Sequence, residues 1–291
     1  MKFTREFCIV NYASGIYKKG QKRLKDSLIS NGYTGDFLFF TEENGELIPS
    51  QDESPWGFKP VLLNYAKEKG YKYILWVDSN MICIRKPVTI FKKIIKDGYY
   101  ISSSYTTKMG YWCSDIALEN FGIDRETSFK ITEVNPSYVG INTQNSIAVS
   151  LLNEWNKYAL DGITFRGIPQ NYPLSETNKN DKGIVSKDSR VKGHRHDQTA
   201  ISFLIWKYRL KISYMETKNI QSLTATKENK YSKAIPLTTE IVQNRDIKFE
   251  DYYKTYNKWG NKKGLDKIRF IILSLIDTIR FETKNIVYKL K

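Results

Sequence analysis

Cysteine, histidine and long apolar runs are what this 291-residue chain has least of, with three cysteines and two histidines in all. Cys8, Cys83 and Cys113 are odd in number and far apart, which argues against a disulfide scaffold and lacks the paired spacing of a zinc site. No run approaches the roughly 18 consecutive apolar residues of a membrane-spanning helix. The start Met1-Lys2-Phe3-Thr4-Arg5 leads into a strand pattern rather than a secretory signal. A reducing cytoplasm is therefore the expected compartment. Acidic residues are also outnumbered: 31 Asp and Glu against 46 Lys and Arg leave a formal charge of +15. Such a balance favours polyanionic partners, whether nucleic acid, anionic lipid or phosphorylated sugars, without choosing among them. The length suits one α/β domain over residues 1–250 followed by a tail over 251–291.

What is present is a succession of βα units. Phe7–Tyr12 is a short apolar run ending in Ala13-Ser14-Gly15, and Lys18–Ser30 carries Leu24, Leu28 and Ile29 at helical spacing before Asn31-Gly32. Phe37–Thr41 reads as a strand, Phe58–Lys69 as a helix stopped by Gly70, and Tyr73–Val77 as a third buried strand. Further along, 88–97 and 146–160 read as helices, 99–103 and 137–143 as strands, and a helical run covers 199–207. Continuous apolar strands alternating with helices predict a mostly parallel twisted sheet covered on both faces. In such sheets ligands bind beyond the carboxyl ends of the strands, where the residues after Tyr12 and after Val77 would meet. The segment 168–192 is polar and long, the pattern of a surface loop of the kind that closes over active sites.

Three constellations could carry chemistry. In Trp76-Val77-Asp78-Ser79-Asn80-Met81 an acidic residue ends an apolar strand and a second polar residue follows two positions on. A carboxylate fixed there can hold Mg²⁺ or Mn²⁺ against a departing diphosphate, or it can simply begin a turn. Gly193-His194-Arg195-His196-Asp197-Gln198 gathers both histidines ahead of a helix. These side chains could ligate metal or hydrogen-bond a polyhydroxylated ligand, while Asp197 could equally serve as a helix N-cap. Lys59, in Ser54-Pro-Trp-Gly-Phe-Lys-Pro60, stands at a helix entrance, where phosphate is favoured by the dipole and free N–H groups.

Asp78-Ser79-Asn80, then Asn135-Pro-Ser-Tyr-Val-Gly-Ile-Asn142, then His196-Asp197-Gln198 occur in an order that resembles GT-A glycosyltransferases, over roughly residues 5 to 215. The pattern is most similar to the galactosyl- and glucosyltransferases related to glycogenin and to bacterial lipopolysaccharide transferases. The resemblance implies a Rossmann-like GT-A fold and a nucleotide-sugar donor, with UDP as the expected nucleotide. It places Asp78 on metal and diphosphate, Ser79 or Asn80 on ribose or metal, and Tyr12, Ala13 and Ser14 around the base and ribose; Lys59, from its helix-entrance position, would touch the donor as well. Asp197 and Gln198 would be the catalytic pair beside the transferred sugar, and Gly140 and Asn142 would lie on the acceptor side. Family members carry a second Asp where this chain has Asn80, whose amide oxygen can ligate a cation but adds no charge. His194 or His196, with His196 the one assigned to the site, would then complete a Mn²⁺ or Mg²⁺ site with Asp78 and Asn80. Alternatively Lys59, Lys18 or Arg23 would supply positive charge directly. The Asp-Gln pair leans toward retention of anomeric configuration.

The tail repeats Ile268, Ile271, Ile272, Leu275, Ile276 and Ile279 at helical spacing, with Lys267, Arg269 and Arg280 between them. An amphipathic basic helix of this kind can lie on an anionic membrane surface or pack on its own domain. The expected partners are thus a nucleotide-sugar donor, a glycan or lipid-linked acceptor, and the inner face of a membrane. Two other readings fit the composition. One is a nucleic-acid-binding protein, suggested by the charge and the 6 Trp, 20 Tyr and 14 Phe. It has no recognisable motif, its lysines are scattered, and no nucleic-acid partner is expected. The other is a GT-A domain that binds sugar nucleotide without turnover.

Overall fold

The computed structural model describes residues 1–103, 107–214, 220–222, 240–243 and 272. In chain order its elements are β1 (Phe7–Ala13), α1 (Tyr17–Ser30), β2 (Asp36–Thr41), α2 (Phe58–Glu68), β3 (Tyr73–Val77), β4 (Met81–Cys83), α3 (Val88–Asp97) and β5 (Tyr99–Ser103). They continue with α4 (Asp115–Phe121), α5 (Arg125–Lys130), β6 (Asn135–Asn142), α6 (Ser146–Leu160), α7 (His196–Lys207), β7 (Ser213–Tyr214), β8 (Ile220–Ser222) and β9 (Ile241–Gln243). The described residues form two compact units.

The larger unit holds a sheet of order β2-β1-β3-β6-β5-β7. β1 pairs in parallel with β2 and β3, and β5 with β7, so the sheet is mostly parallel as the apolar runs predict. The exception is β6, antiparallel to both β3 and β5. Successive side chains of a strand face opposite sides, and β6 shows it. Val139 and Ile141 join one core with Leu62 and Leu63 of α2, Leu151, Leu152 and Trp155 of α6, and Ile201 and Leu204 of α7. Gly140 instead faces Ile94 of α3 and Tyr100. Each large apolar side chain buried in this core contributes about 1.5–3 kcal/mol. Local signals set the helix ends: the Asn145 side chain accepts the Ala148 N–H at the start of α6, and Gly70 at φ +88° follows the end of α2.

The segment 168–192, expected as a surface loop, makes specific contacts with its neighbours. Ile168, Val185 and Val191 form a small core of their own. Arg125 of α5 donates to the carbonyls of Gly110 and Cys113 and to Ser186 Oγ, and it pairs with Asp115. Ser186 Oγ donates in turn to Asp115, and the Lys192 N–H bonds the Tyr111 carbonyl at 2.8 Å. Composition registers the polarity of this stretch but not the partners that satisfy it.

The smaller unit contains Gly15–Thr34 and Ser79–Ile90 with the described residues of β8 and β9. Its sheet runs β4-β9-β8. α1 is tied to β4 by Ser27 Oγ, which accepts the Cys83 N–H at 3.0 Å, and by Asn31 Nδ2, which donates to the Cys83 carbonyl at 3.1 Å. The Glu240 carboxylate accepts the N–H groups of Thr89 and Ile90, where a helix start leaves donors unpaired. All three cysteines are free and buried. Among the described residues no helix is long and apolar enough to cross a membrane. The tail 251–291 and its expected basic helix lie, apart from Ile272, outside the described residues.

Candidate functional site

Parallel pairing sets Val10 of β1 beside Trp76 of β3, so Tyr12 and Asp78 stand level at the carboxyl ends of neighbouring strands. Asp78 is held from three sides. Its N–H bonds the Ser137 carbonyl at 2.8 Å, Trp76 Nε1 donates to its Oδ1 at 2.7 Å, and Lys59 Nζ lies 3.4 Å from the same oxygen. Lys59, the second residue of α2, reaches Asp197 Oδ2 at 2.8 Å and donates to the Pro136 carbonyl at 3.3 Å. Asp197 is the second residue of α7, and its own carbonyl accepts Trp155 Nε1–H at 3.2 Å. One ammonium therefore joins two carboxylates that are far apart in sequence. The Lys59 and Asp197 side chains are 4 % and 8 % exposed and that of Asp78 is 23 % exposed. Burial alone would push the Lys59 ammonium down, but the Asp197 and Asp78 charges outweigh it and hold it above its ordinary value. Burial raises the Asp197 carboxyl, and Lys59 opposes that rise. With all three groups ionised the cluster carries one surplus negative charge, centred on the more open Asp78.

Beside this cluster two bulky residues occupy the left-handed backbone region, Trp56 at φ 59° and His196 at φ 34°. Such conformations cost of order 1–3 kcal/mol each and gather at functional sites. The two rings stack on each other, with centroids 5.0 Å apart and planes at 26°. His196 Nδ1 donates to the Phe165 carbonyl at 2.6 Å. His194 accepts the Ser114 N–H at Nδ1 and donates from Nε2 to the Thr164 carbonyl, which fixes it as a neutral ring. Burial, aided by the neighbouring His196, pushes His194 down to about 3, and burial pushes His196 down to about 4.

No protein-family model and no curated protein matches the chain. Among solved structures, the apo form of the bifunctional glycosyltransferase WbbM superposes with a TM-score of 0.51 at 9% identity, over 87% of this chain and 50% of that one. The fold is a glycosyltransferase fold. Two further solved structures match with lower TM-scores. A glycosyltransferase involved in the glycosylation of the major capsid of PBCV-1 gives 0.43 at 12% identity, over 87% of this chain and 98% of that one. Mouse xyloside xylosyltransferase 1 in its apo form gives 0.45 at 10% identity, over 82% and 98%.

Within this glycosyltransferase fold the structure gathers Lys59, Asp78 and Asp197, with Tyr12 adjoining through Phe58, whose ring is 4.6 Å from that of Tyr12 and 5.6 Å from that of Trp76. Ala13 is buried, Ser14 is exposed, and Gln198 is half-buried on α7. Ser79 and Asn80 follow Asp78 in the chain and belong to the smaller unit. Gly140 and Asn142, expected on the acceptor side, are not with the others. Because β6 is antiparallel, Asn142 pairs with Tyr73 at the far end of β3, about 17 Å from the level of Asp78 at ~3.4 Å per residue. Gly140 lies against Ile94 on the opposite face from α2 and α7. The part of β6 that does reach the site is its start, through the Pro136 and Ser137 carbonyls.

His196 donates its Nδ1–H to the Phe165 carbonyl and stacks on Trp56, so Nε2 is the ring nitrogen left to meet a ligand. Among the described residues no group of three or more His, Cys, Asp or Glu could share a metal ion. What Asp78 offers is its Oδ2, since both of its side-chain contacts are made through Oδ1. One carboxylate with surplus negative charge suits a Mg²⁺-type ion that takes most of its ligands from substrate phosphate and water.

The sequence reading missed three residues here. Asn11, fully buried on β1, donates to the Val77 carbonyl at 2.5 Å and so fixes the residue before Asp78. A lone Asn inside the apolar run Phe7–Tyr12 was the available signal. Glu133 is buried, accepts Arg195 at 2.7 Å and Thr107, and is raised by burial. The third is Trp56, and a tryptophan between Pro55 and Gly57 was visible as a turn aromatic.

Proposed function

We propose that the protein is a glycosyltransferase moving a sugar from a nucleotide-diphosphate donor, of the UDP-sugar class, to a hydroxyl of a glycan or lipid-linked acceptor. The observation that carries this reading is the buried Lys59 ammonium held between Asp78 and Asp197 at the strand ends. Ligands of open α/β sheets bind at that edge. In this reading the donor lies over the carboxyl ends of β1 and β3, with Tyr12, Ala13 and Ser14 along the nucleoside and Ser79 or Asn80 on the ribose. Asp78 contributes its open oxygen to a Mn²⁺ or Mg²⁺ ion, which when bound neutralises the diphosphate as it leaves.

Asp197 and Gln198 face the transferred sugar. A carbon losing its leaving group gains positive charge, and fixed carboxylates oriented toward it stabilise that charge without reorganising. Lys59 orients Asp197 and counters the burial that would protonate it. Asp197, buried and held to an ammonium at 2.8 Å, is poorly suited to accept a proton from an acceptor hydroxyl. That favours retention of configuration over inversion.

The test is calorimetric titration of UDP, GDP and their common sugar conjugates into wild type and Asp78→Ala, with and without Mn²⁺. Binding that needs Mn²⁺ and is lost in the variant supports the reading. Binding of donor with no turnover across a wide acceptor set would leave a sugar-nucleotide-binding domain, and no nucleotide binding would end the proposal. In the same reading the basic segment 251–291 rests on an anionic membrane from the cytoplasmic side. Flotation with anionic liposomes that is unchanged on deleting 265–291 would end that part.

A further inference from the structure

Trp56 is exposed over 45 % of its surface, yet both its backbone and its ring are held. Its N–H donates to Gln51 Oε1 at 3.1 Å and its carbonyl accepts the Lys59 N–H at 3.2 Å, so its backbone is fixed on both sides. Its ring lies on His196, and the His196 ring meets that of His194 edge-on at 5.2 Å. His194 in turn fills the space against Gly167, where a Cβ would come within 2.1 Å of the ring. The column therefore runs from the core outward: Gly167, His194, His196, Trp56. An apolar packing role would hide this indole, and a mere turn would not need a tryptophan at positive φ. Gly57, the next residue, has the ordinary helical φ of −60° at the cap of α2, while the bulky residue takes the strained place. The construction keeps the indole partly exposed while its ring is stacked on His196. It does so three residues from Lys59 and next to the neighbour of Asp197.

The chemistry that fits a partly exposed, held indole beside fixed carboxylates is a pyranose. One face of the ring presents C–H groups to the aromatic surface, and its hydroxyls reach the acceptors at the edge. We propose that Trp56 is the stacking platform for a pyranose ring at the Lys59–Asp197 cluster. The proposal rests on the reading of this cluster as a glycosyl-transfer site and adds the residue that seats the sugar. The ring belongs either to the donor or to the acceptor, and the two sources are separable.

The experiment follows intrinsic fluorescence of wild type, Trp56→Phe and Trp56→Ala during titration with UDP, UDP-glucose, UDP-galactose, lactose, maltose and cellobiose, with Mn²⁺ present throughout. Circular dichroism of each variant checks that the fold is retained. The expected result is that a sugar-bearing probe quenches a signal present in wild type and missing in Trp56→Phe. Trp56→Ala should weaken that probe about tenfold while UDP alone binds as before. Dependence confined to the UDP-sugars assigns the ring to the donor, and dependence with the disaccharides assigns it to the acceptor. Trp56→Ala binding every sugar-bearing probe as wild type does, or no such probe binding at all, overturns the proposal. Nucleotide binding and turnover that ignore Trp56 would leave the transferase reading standing and remove this one. Trp56-dependent sugar binding without any nucleotide binding would do the reverse.

Discussion

Lys59 Nζ stands 2.8 Å from Asp197 Oδ2, with both side chains almost wholly buried and Asp78 as a second carboxylate within 3.4 Å of the same ammonium. Removing one partner of a buried pair leaves an uncompensated charge, which costs about 3–5 kcal/mol. Lys59→Met strands two carboxylates and is expected to lower the urea midpoint accordingly. Adding Asp197→Asn to it should recover part of the loss, because the buried charge is gone. A double variant no more stable than Lys59→Met would mean that the two residues do not act as a pair.

Gly140 belongs to the core of the sheet. A Cβ there would meet Ile94 Cδ1 and Cγ1 at 2.5 Å and Tyr100 Cβ at 2.8 Å. Gly140→Ala is expected to cost about 1–3 kcal/mol by overpacking, and Ile94→Val in the same chain should return some of it. Denaturation curves of the three variants decide the matter. If Gly140→Ala instead kept full stability and altered only acceptor kinetics, the acceptor-side role read from the sequence would be restored.

The loop pinned by Arg125 gives a third test. Its guanidinium reaches Gly110, Cys113, Asp115 and Ser186 at once, so Arg125→Met removes the hub that ties the 168–192 segment to α4 and α5. Trypsin should then cut at Lys182 or Lys187 markedly faster, by about tenfold, while the core sheet stays protected. Equal cleavage rates would show that the small core of Ile168, Val185 and Val191 holds the loop without the hub.

The parallel strands were legible because β1, β2 and β3 are continuous apolar runs closed by turn residues, and their length and order leave few topologies. The direction of β6 was not, since Asn135–Asn142 is buried along almost its whole length and a strand buried on both faces looks the same in either orientation. That one ambiguity misplaced Gly140 and Asn142. Asp78 and Asp197 were visible at element ends, and so was Lys59, but their union through one ammonium depends on α2 and α7 meeting over the sheet. No local pattern encodes such a contact. The two histidines differ in a way the sequence does not show. A His pair before a helix suggests ligands, whereas both ring nitrogens of His194 are taken by the Ser114 N–H and the Thr164 carbonyl, and His196 keeps only its Nε2 beside the Nδ1 bond to Phe165.

Those histidines are expected to weaken the fold toward acid. Both are held neutral by burial, His194 down to about 3 and His196 down to about 4, against an ordinary value near 6.5. A depressed histidine takes up a proton more readily when unfolded, so its contribution is fully present above about pH 6.5 and is lost as pH falls toward the folded values. Each ring should remove about 1.4 kcal/mol per pH unit over that window. Asp197 and Glu133, raised by burial, act in the opposite sense and offset part of the loss. Urea unfolding at about pH 7, 6 and 5 should show a falling midpoint. His194→Gln, whose amide can still accept from Ser114 and donate to Thr164, should lower the slope by about one proton. A slope unchanged in that variant would place the acid sensitivity on carboxylates instead of the histidine column beneath Trp56.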